Sequence, residues 1–219
     1  PPPYSSAASD VYKRQPTETC VPHRTRNTTM PRKVWKRKKG ADLNLKLKSE
    51  HHIKNKQFEC YFRDLETHLI EFIEGSESVV CCVAWLTSQK VLKAILGRPS
   101  VLVLRNESWL NKKGGLAKKT REMYGKMRAS KKTLAVMGET IEEDVLVCGM
   151  ISHPQNMHHK FVIRLEKGKP VAVWNGSFNP TTNGNESIEN ATVIYNATVA
   201  KAYASEFIGV YGISKPLKV

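Results

Sequence analysis

His158 and Lys160, in Met157-His158-His159-Lys160-Phe161-Val162-Ile163, are the pair best suited to chemistry. The segment runs into an apolar, β-branched stretch and reads as a strand, where residues two apart project to one face roughly 6–7 Å from each other. An imidazole and an ammonium at that spacing can address one phosphate, while His159 points to the other face. An H-x-K match alone carries little weight in a chain with 7 His and many Lys. Weight comes from a second strand end, Trp174-Asn175-Gly176-Ser177-Phe178-Asn179. There Ser177 and Asn179 offer hydrogen bonds from one side, and Gly176 lets a ligand approach the backbone. Glu189-Asn190 is a third piece: a carboxylate at 189 would accept the Nδ1 proton of His158 and leave Nε2 free to attack, with Glu186 close enough to compete for the role. Plainer uses exist for each. Ser177 and Asn179 suit turns, Glu189 suits a surface, and a metal cluster of His153, His158 and His159 is disfavoured because alternation separates the last two.

The elements that would position these residues can be read from periodicity. A helix is expected from Phe58 onward, with Tyr61, Leu65, Leu69 and Phe72 on one side and Gly75 at its end. The run Val79 to Leu86 is continuous, apolar and β-branched, as in a strand covered on both faces, and Cys81 and Cys82 within it serve as core packing. Thr87 or Ser88 caps a helix carrying Val91, Leu92 and Ile95, which Gly97-Arg98-Pro99 stops before the strand Val101–Leu104. A further helix from Leu116 to Met127 and a strand Thr133–Met137 repeat the crossover unit. Strands at 158–165, 170–175 and 191–195 and a helix with Val199, Tyr203 and Phe207 complete the domain. The expected fold is α/β, a mixed sheet with helices on both faces.

Charge and composition bound the rest. The chain has 219 residues and a formal net charge of +15, with 40% hydrophobic residues, and its longest apolar run is far short of the ~20 residues that span a bilayer. No signal peptide, amphipathic membrane-seeking stretch or C-x-x-C pair is present, so a reduced, cytoplasmic protein without stable membrane association is expected. Residues 1–58 hold 14 Lys and Arg against 4 Asp and Glu, which is +10 of the total, and lack apolar periodicity. Residues 1–57 are therefore read as a basic, low-order arm. Within it Ser6–Gln15 resembles a translated sequencing-library adapter, so residues 1–15 are set aside from the fold. Residues 58–210 form the packed domain and 211–219 a tail. Lys112, Lys113, Lys118, Lys119, Arg121, Lys126 and Arg128, with Trp109 and Tyr124 nearby, are expected to track phosphates of DNA or RNA; a solvated helix face is the bland alternative.

The order H-x-K, G-S-x-N, E-N after a Val-rich strand and Ala84-Trp85-Leu86-Thr87-Ser88 resembles the phospholipase D superfamily, in particular its short bacterial nuclease-like members with one HKD motif. The likeness covers roughly residues 59–209. It implies catalytic roles for His158, Lys160, Ser177, Asn179 and Glu189, and a homodimer in which two such half-sites meet. It further implies a phosphohistidine intermediate and metal-independent phosphodiester hydrolysis, with no cofactor. One position departs from the family pattern: Leu165 stands where an Asp is expected, which raises the alternative of an inactive nucleic-acid-binding relative. Hydrolysis of a phospholipid headgroup is the other alternative.

Overall fold

Ser78-Val79-Val80-Cys81-Cys82-Val83 is buried throughout, as an uncharged β-branched run must be when both faces of its sheet are covered. The structure is a computed structural model that describes residues 51–111, 117–151 and 153–218. Most of the expected arm, and Lys112 and Lys113, lie outside the described residues. In chain order the strands and helices are β1 (Ile53–Lys54), β2 (Phe58–Tyr61), α1 (Leu65–Glu74), β3 (Ser78–Val83), α2 (Gln89–Leu96) and β4 (Ser100–Arg105). A 3-10 turn at Ser108–Asn111 leads to α3 (Lys118–Ala129), β5 (Thr133–Val136), β6 (Glu139–Glu142) and β7 (Asp144–Cys148). There follow β8 (Lys160–Glu166), β9 (Lys169–Gly176), α4 (Thr182–Glu186), β10 (Ala191–Ile194), α5 (Ala197–Gly212) and β11 (Lys215–Pro216).

Nine strands form one mixed sheet in the order β1-β2-β10-β9-β8-β3-β4-β7-β11. β3, β4 and β7 run parallel, and β8 joins them antiparallel against β3. Strand alternation sends Val79, Cys81, Val162 and Trp174 into a core shared with α1, α2 and α3. Val80, Cys82, Phe161 and Ile163 enter a second core with Phe207 and Val210 of α5. The α/β arrangement with helices on both faces is therefore as expected.

Four expectations are corrected. Phe58–Tyr61 is a strand, because its inward pair Glu59 and Tyr61 alternates with exposed positions and it ladders onto β10; α1 begins only after Asp64 turns the chain at φ 54°. The sheet also begins before residue 58, since Ile53–Lys54 pairs with β2. Thr133–Val136 does not extend the crossover repeat. Met137 and Gly138, at φ 54° and 95°, make the tight turn that folds it back on β6 as a separate hairpin, and the third parallel strand is β7, which had not been foreseen. Finally, the tail belongs to the domain: β11 pairs with β7, and Leu217 is fully buried beneath α3 and the sheet.

Arg128 holds that last edge in place. Its Nε lies 3.1 Å from Asp144 Oδ1 and its guanidinium also donates to the Leu217 carbonyl, so α3, β7 and the C-terminal segment are tied by one side chain. Leu217→Ala is expected to lower the unfolding free energy by about 2–5 kcal/mol, read by urea denaturation, because it empties a closed core site. An unchanged midpoint would mean that 215–218 is not part of the packed domain.

Candidate active site

Lys160 opens β8 opposite Val83, the last residue of β3, and Gly176 closes β9 opposite Ala191, the first of β10. The ends of β3, β4 and β9 and the starts of β8 and β10 thus converge on one end of the sheet, the end where open α/β sheets bind ligands. Backbone bonds lock the convergence. Ala84 N–H donates to the His159 carbonyl (2.8 Å), and Thr87 and Ser88 N–H both donate to the Pro180 carbonyl (2.9 Å each). The Ser88 hydroxyl, as expected of a cap, accepts from Val91 N–H (3.3 Å) and starts α2 just there.

His158 precedes β8 rather than lying within it, yet the expected pairing is present. Lys160 Nζ is 3.2 Å from His158 Nδ1 and donates to the His158 carbonyl at 2.9 Å. The His158 ring stands edge-on to Trp85 at 6.0 Å. His159 points to the opposite face, where Nε2 is 3.0 Å from Glu206 of α5. Burial lowers the His158 pKa, and the charges of Lys160, Arg105 and His159 lower it further, all of which disfavour the protonated ring. Burial also lowers the Lys160 pKa; Glu189 opposes that and Arg105 adds to it.

Glu189 is not found orienting His158. It faces Lys160 and accepts from the Ser177 hydroxyl. Ser177 Oγ also lies 2.8 Å from Asn190 Oδ1 and accepts from Asn190 N–H at 3.1 Å, while Ser177 N–H donates to the Asn190 carbonyl at 3.1 Å. These bonds fasten the end of β9 to the start of β10. Asn179 Oδ1 accepts from Trp85 N–H (3.3 Å), which pins the loop after β3. Gly176 has a different reason from the one expected: a Cβ there would run into the Asn190 carbonyl and come within 2.8 Å of Ala191 Cα, so the residue accommodates a strand, not a ligand.

Three contributors escaped the sequence reading. Arg105, the polar residue closing an apolar strand run, lies over the Trp85 ring at 5.6 Å and pairs with Glu107 at 2.8 Å. Glu107 in turn accepts from Trp85 Nε1 at 3.1 Å. Asn190 was noted only as a neighbour of Glu189. The signal for Arg105 was its place at a strand's C-terminal end.

The basic patch is only partly as expected. Lys118 and Lys119 are exposed at the start of α3, which topology puts at the site end of the sheet, and Lys126 is exposed further along; Arg121 is half-buried. Arg128 is committed to Asp144 and Leu217 at the far end, and Tyr124 is fully buried with its hydroxyl on the Leu86 carbonyl, so neither can track a nucleic acid. Leu165 is also fully buried, five residues from Lys160 and therefore roughly 17 Å along the strand. The departure from the family pattern is thus a packing change remote from the His158–Lys160 pair. Among the described residues, no group of three or more His, Cys, Asp or Glu is clustered to hold a metal, and no helix is long and apolar enough to cross a membrane.

The sheet order and the helices on its two faces give the fold of phospholipase D family members. A phospholipase D family member, Nuc from Salmonella typhimurium, superposes with a TM-score of 0.53 at 15% identity, over 74% of this chain and 98% of that one. NucT from Helicobacter pylori does so with a TM-score of 0.54 at 15% identity, over 73% and 98%. No protein-family model matches the chain. The chain belongs to the family of the uncharacterized protein L381 of Acanthamoeba polyphaga mimivirus, to which it is 31% identical over 204 residues, covering 79% of this chain and 72% of that protein.

The electrostatics of the site lead to a direct test. In an NMR titration His158 is expected to titrate below the ordinary histidine value, and Arg105→Gln should move its midpoint upward, since removing a cation favours the protonated ring. A midpoint unmoved by Arg105→Gln would show that Arg105 does not act on the imidazole.

Proposed function

We propose that this protein is a phosphodiesterase that hydrolyses nucleic acid with His158 as nucleophile. The observation that carries the reading is the His158 imidazole 3.2 Å from the Lys160 ammonium at the converged strand ends, with Arg105 close enough to act on both charges. His158 attacks phosphorus, the bond to the leaving oxygen breaks, and a phosphohistidine forms. Lys160 and Arg105 neutralise the phosphoryl oxygens, the role a divalent cation plays in other phosphodiesterases. The departing alkoxide needs a proton, and a second histidine must supply it and then take one from the water that releases the phosphate. The chain's other H-x-K, His52-Ile53-Lys54, runs into the edge strand β1, where His52 packs against Tyr61 and His68, so the second histidine is assigned to the partner subunit's His158 in a two-fold dimer. Ser177, Asn179 and Glu189 act as positioning residues: Glu189 and Ser177 hold the end of β9 against the start of β10 next to Lys160, and Asn179 holds Trp85.

A second reading has its own support. Met150 (51% exposed) and Ile213 (77% exposed) border a hollow of about 770 Å³ that also reaches His158 and His159, an apolar rim the sequence did not reveal. A phospholipid substrate would use such a rim, and a second copy docking to complete the site would cover it. The basic start of α3 favours nucleic acid.

Incubation with labelled single- and double-stranded DNA and RNA in excess EDTA separates these readings. The wild type should cleave, His158→Ala and Lys160→Ala should lose at least about 10³-fold, and His159→Ala should retain most activity. Cleavage of phosphatidyl vesicles with none of nucleic acid would favour the lipid reading, and equal loss in His159→Ala would contradict the role given to His158.

A further inference from the structure

Beside the His158–Lys160 pair is a hollow of about 450 Å³ whose walls include Trp85, Trp109, Asn179 and Glu189. It adjoins the reacting groups through Trp85, whose ring meets His158. Trp85 is fixed by Arg105 over its ring and by its Nε1 bond to Glu107, whereas Trp109 is a half-buried indole on the 3-10 turn after β4. The other described lining residues are Thr, Asn, Ser and Gly, and the one charged group is the Glu189 carboxylate. A carboxylate without a cation among the lining residues repels phosphate. What enters must be the uncharged group carried by the phosphodiester, flat enough to lie on an indole and polar enough at its edge to meet Thr and Asn side chains. The volume falls within the range of small-molecule sites.

We propose that this hollow takes one unstacked nucleobase next to the scissile phosphate, with Trp109 as its stacking platform, so that the substrate is single-stranded nucleic acid. The inference rests on the nucleic-acid reading above and narrows its substrate class. A base inside a duplex already stacks on its neighbours and must leave them to enter, whereas a single strand presents it at no such cost. A path for the strand continues past the first hollow. Gly184 and Ser187 are shared with a second hollow of about 470 Å³ beyond α4, which is bordered by Phe62 (39% exposed) and Arg63, whose Nε is buried without a hydrogen-bond partner. Phe62 offers a second aromatic surface for the next base, while Asp64 and Glu66 line the same hollow beside Arg63 and leave it no net positive charge.

The test measures binding, in a His158→Ala background and at fixed salt, of fluorescent 12-residue single strands of DNA and of RNA, the matching duplexes, and a DNA strand of the same length made of abasic residues. Intact single strands should bind at least about 10-fold tighter than the abasic strand. Trp109→Ala should erase that gap and Trp109→Phe restore most of it; Phe62→Ala, at an exposed position, should narrow it. A preference for DNA over RNA, or the reverse, would identify the source of the base. Equal binding of intact and abasic strands, a gap that survives Trp109→Ala, or tighter binding of duplex would overturn the proposal. Because binding is read without turnover, absence of cleavage by the wild type would count against the phosphodiesterase reading alone, and cleavage without a base-dependent gap against this inference alone.

Discussion

The hydrogen bond from the Ala84 N–H to the His159 carbonyl is the contact on which the site depends. It extends the β3–β8 ladder one step beyond the last paired residues, Val83 and Lys160, and so continues strand geometry through the residue between His158 and Lys160. With His159 fixed toward α5 by Glu206, the residues on either side of it face the other way together. The buried, uncharged β3 is what makes this rigid. A strand covered on both faces cannot slip by one residue without sending its whole inward set to the wrong core.

Around that junction the chain gathers cations and disperses the carboxylates that hold them. His158, Lys160 and Arg105 share one end of the sheet, Glu189 faces Lys160, and Glu107 pairs with Arg105 while also taking the Trp85 indole N–H. Burial and like charge together depress the pKa of both His158 and Lys160. A phosphodiester bound as proposed would offset this by placing negative charge beside Lys160 and Arg105. Under the proposed function, the field that disfavours the protonated imidazole is also the field that would attract a phosphodiester.

Much of this was legible in residue order, and the failures have specific causes. β3, the Ser88 cap and the H-x-K pairing follow from local pattern, because burial, capping and alternation act over a few residues. The strand at Phe58–Tyr61 was hidden by Leu65, Leu69 and Phe72, whose true helical spacing extends back by chance to Tyr61. β7 and β11 were missed because neither is defined by its own periodicity; each is a strand only because a neighbour offers it a ladder. At the site, Glu189 was assigned to His158 on chemical type alone, while the fold offers it Ser177 and Lys160. Arg105 was passed over because the groups it acts on, Trp85 by contact and His158 by charge, are 20 and 53 positions away, leaving its place at a strand end as the one local signal. Arg128 shows the converse: one of nine basic residues in a short segment, it serves the fold, not the ligand.

The central claim is that the His158 imidazole bonds covalently to phosphorus. Rapid acid-free quenching of the wild type with a phosphodiester substrate, followed by proteolysis and mass spectrometry, tests it most directly. A phosphoryl adduct on the peptide carrying His158, labile to acid and absent from His158→Ala, is the predicted result. Turnover of the substrate with no adduct at His158, or an adduct on His159 or His153 instead, would contradict it.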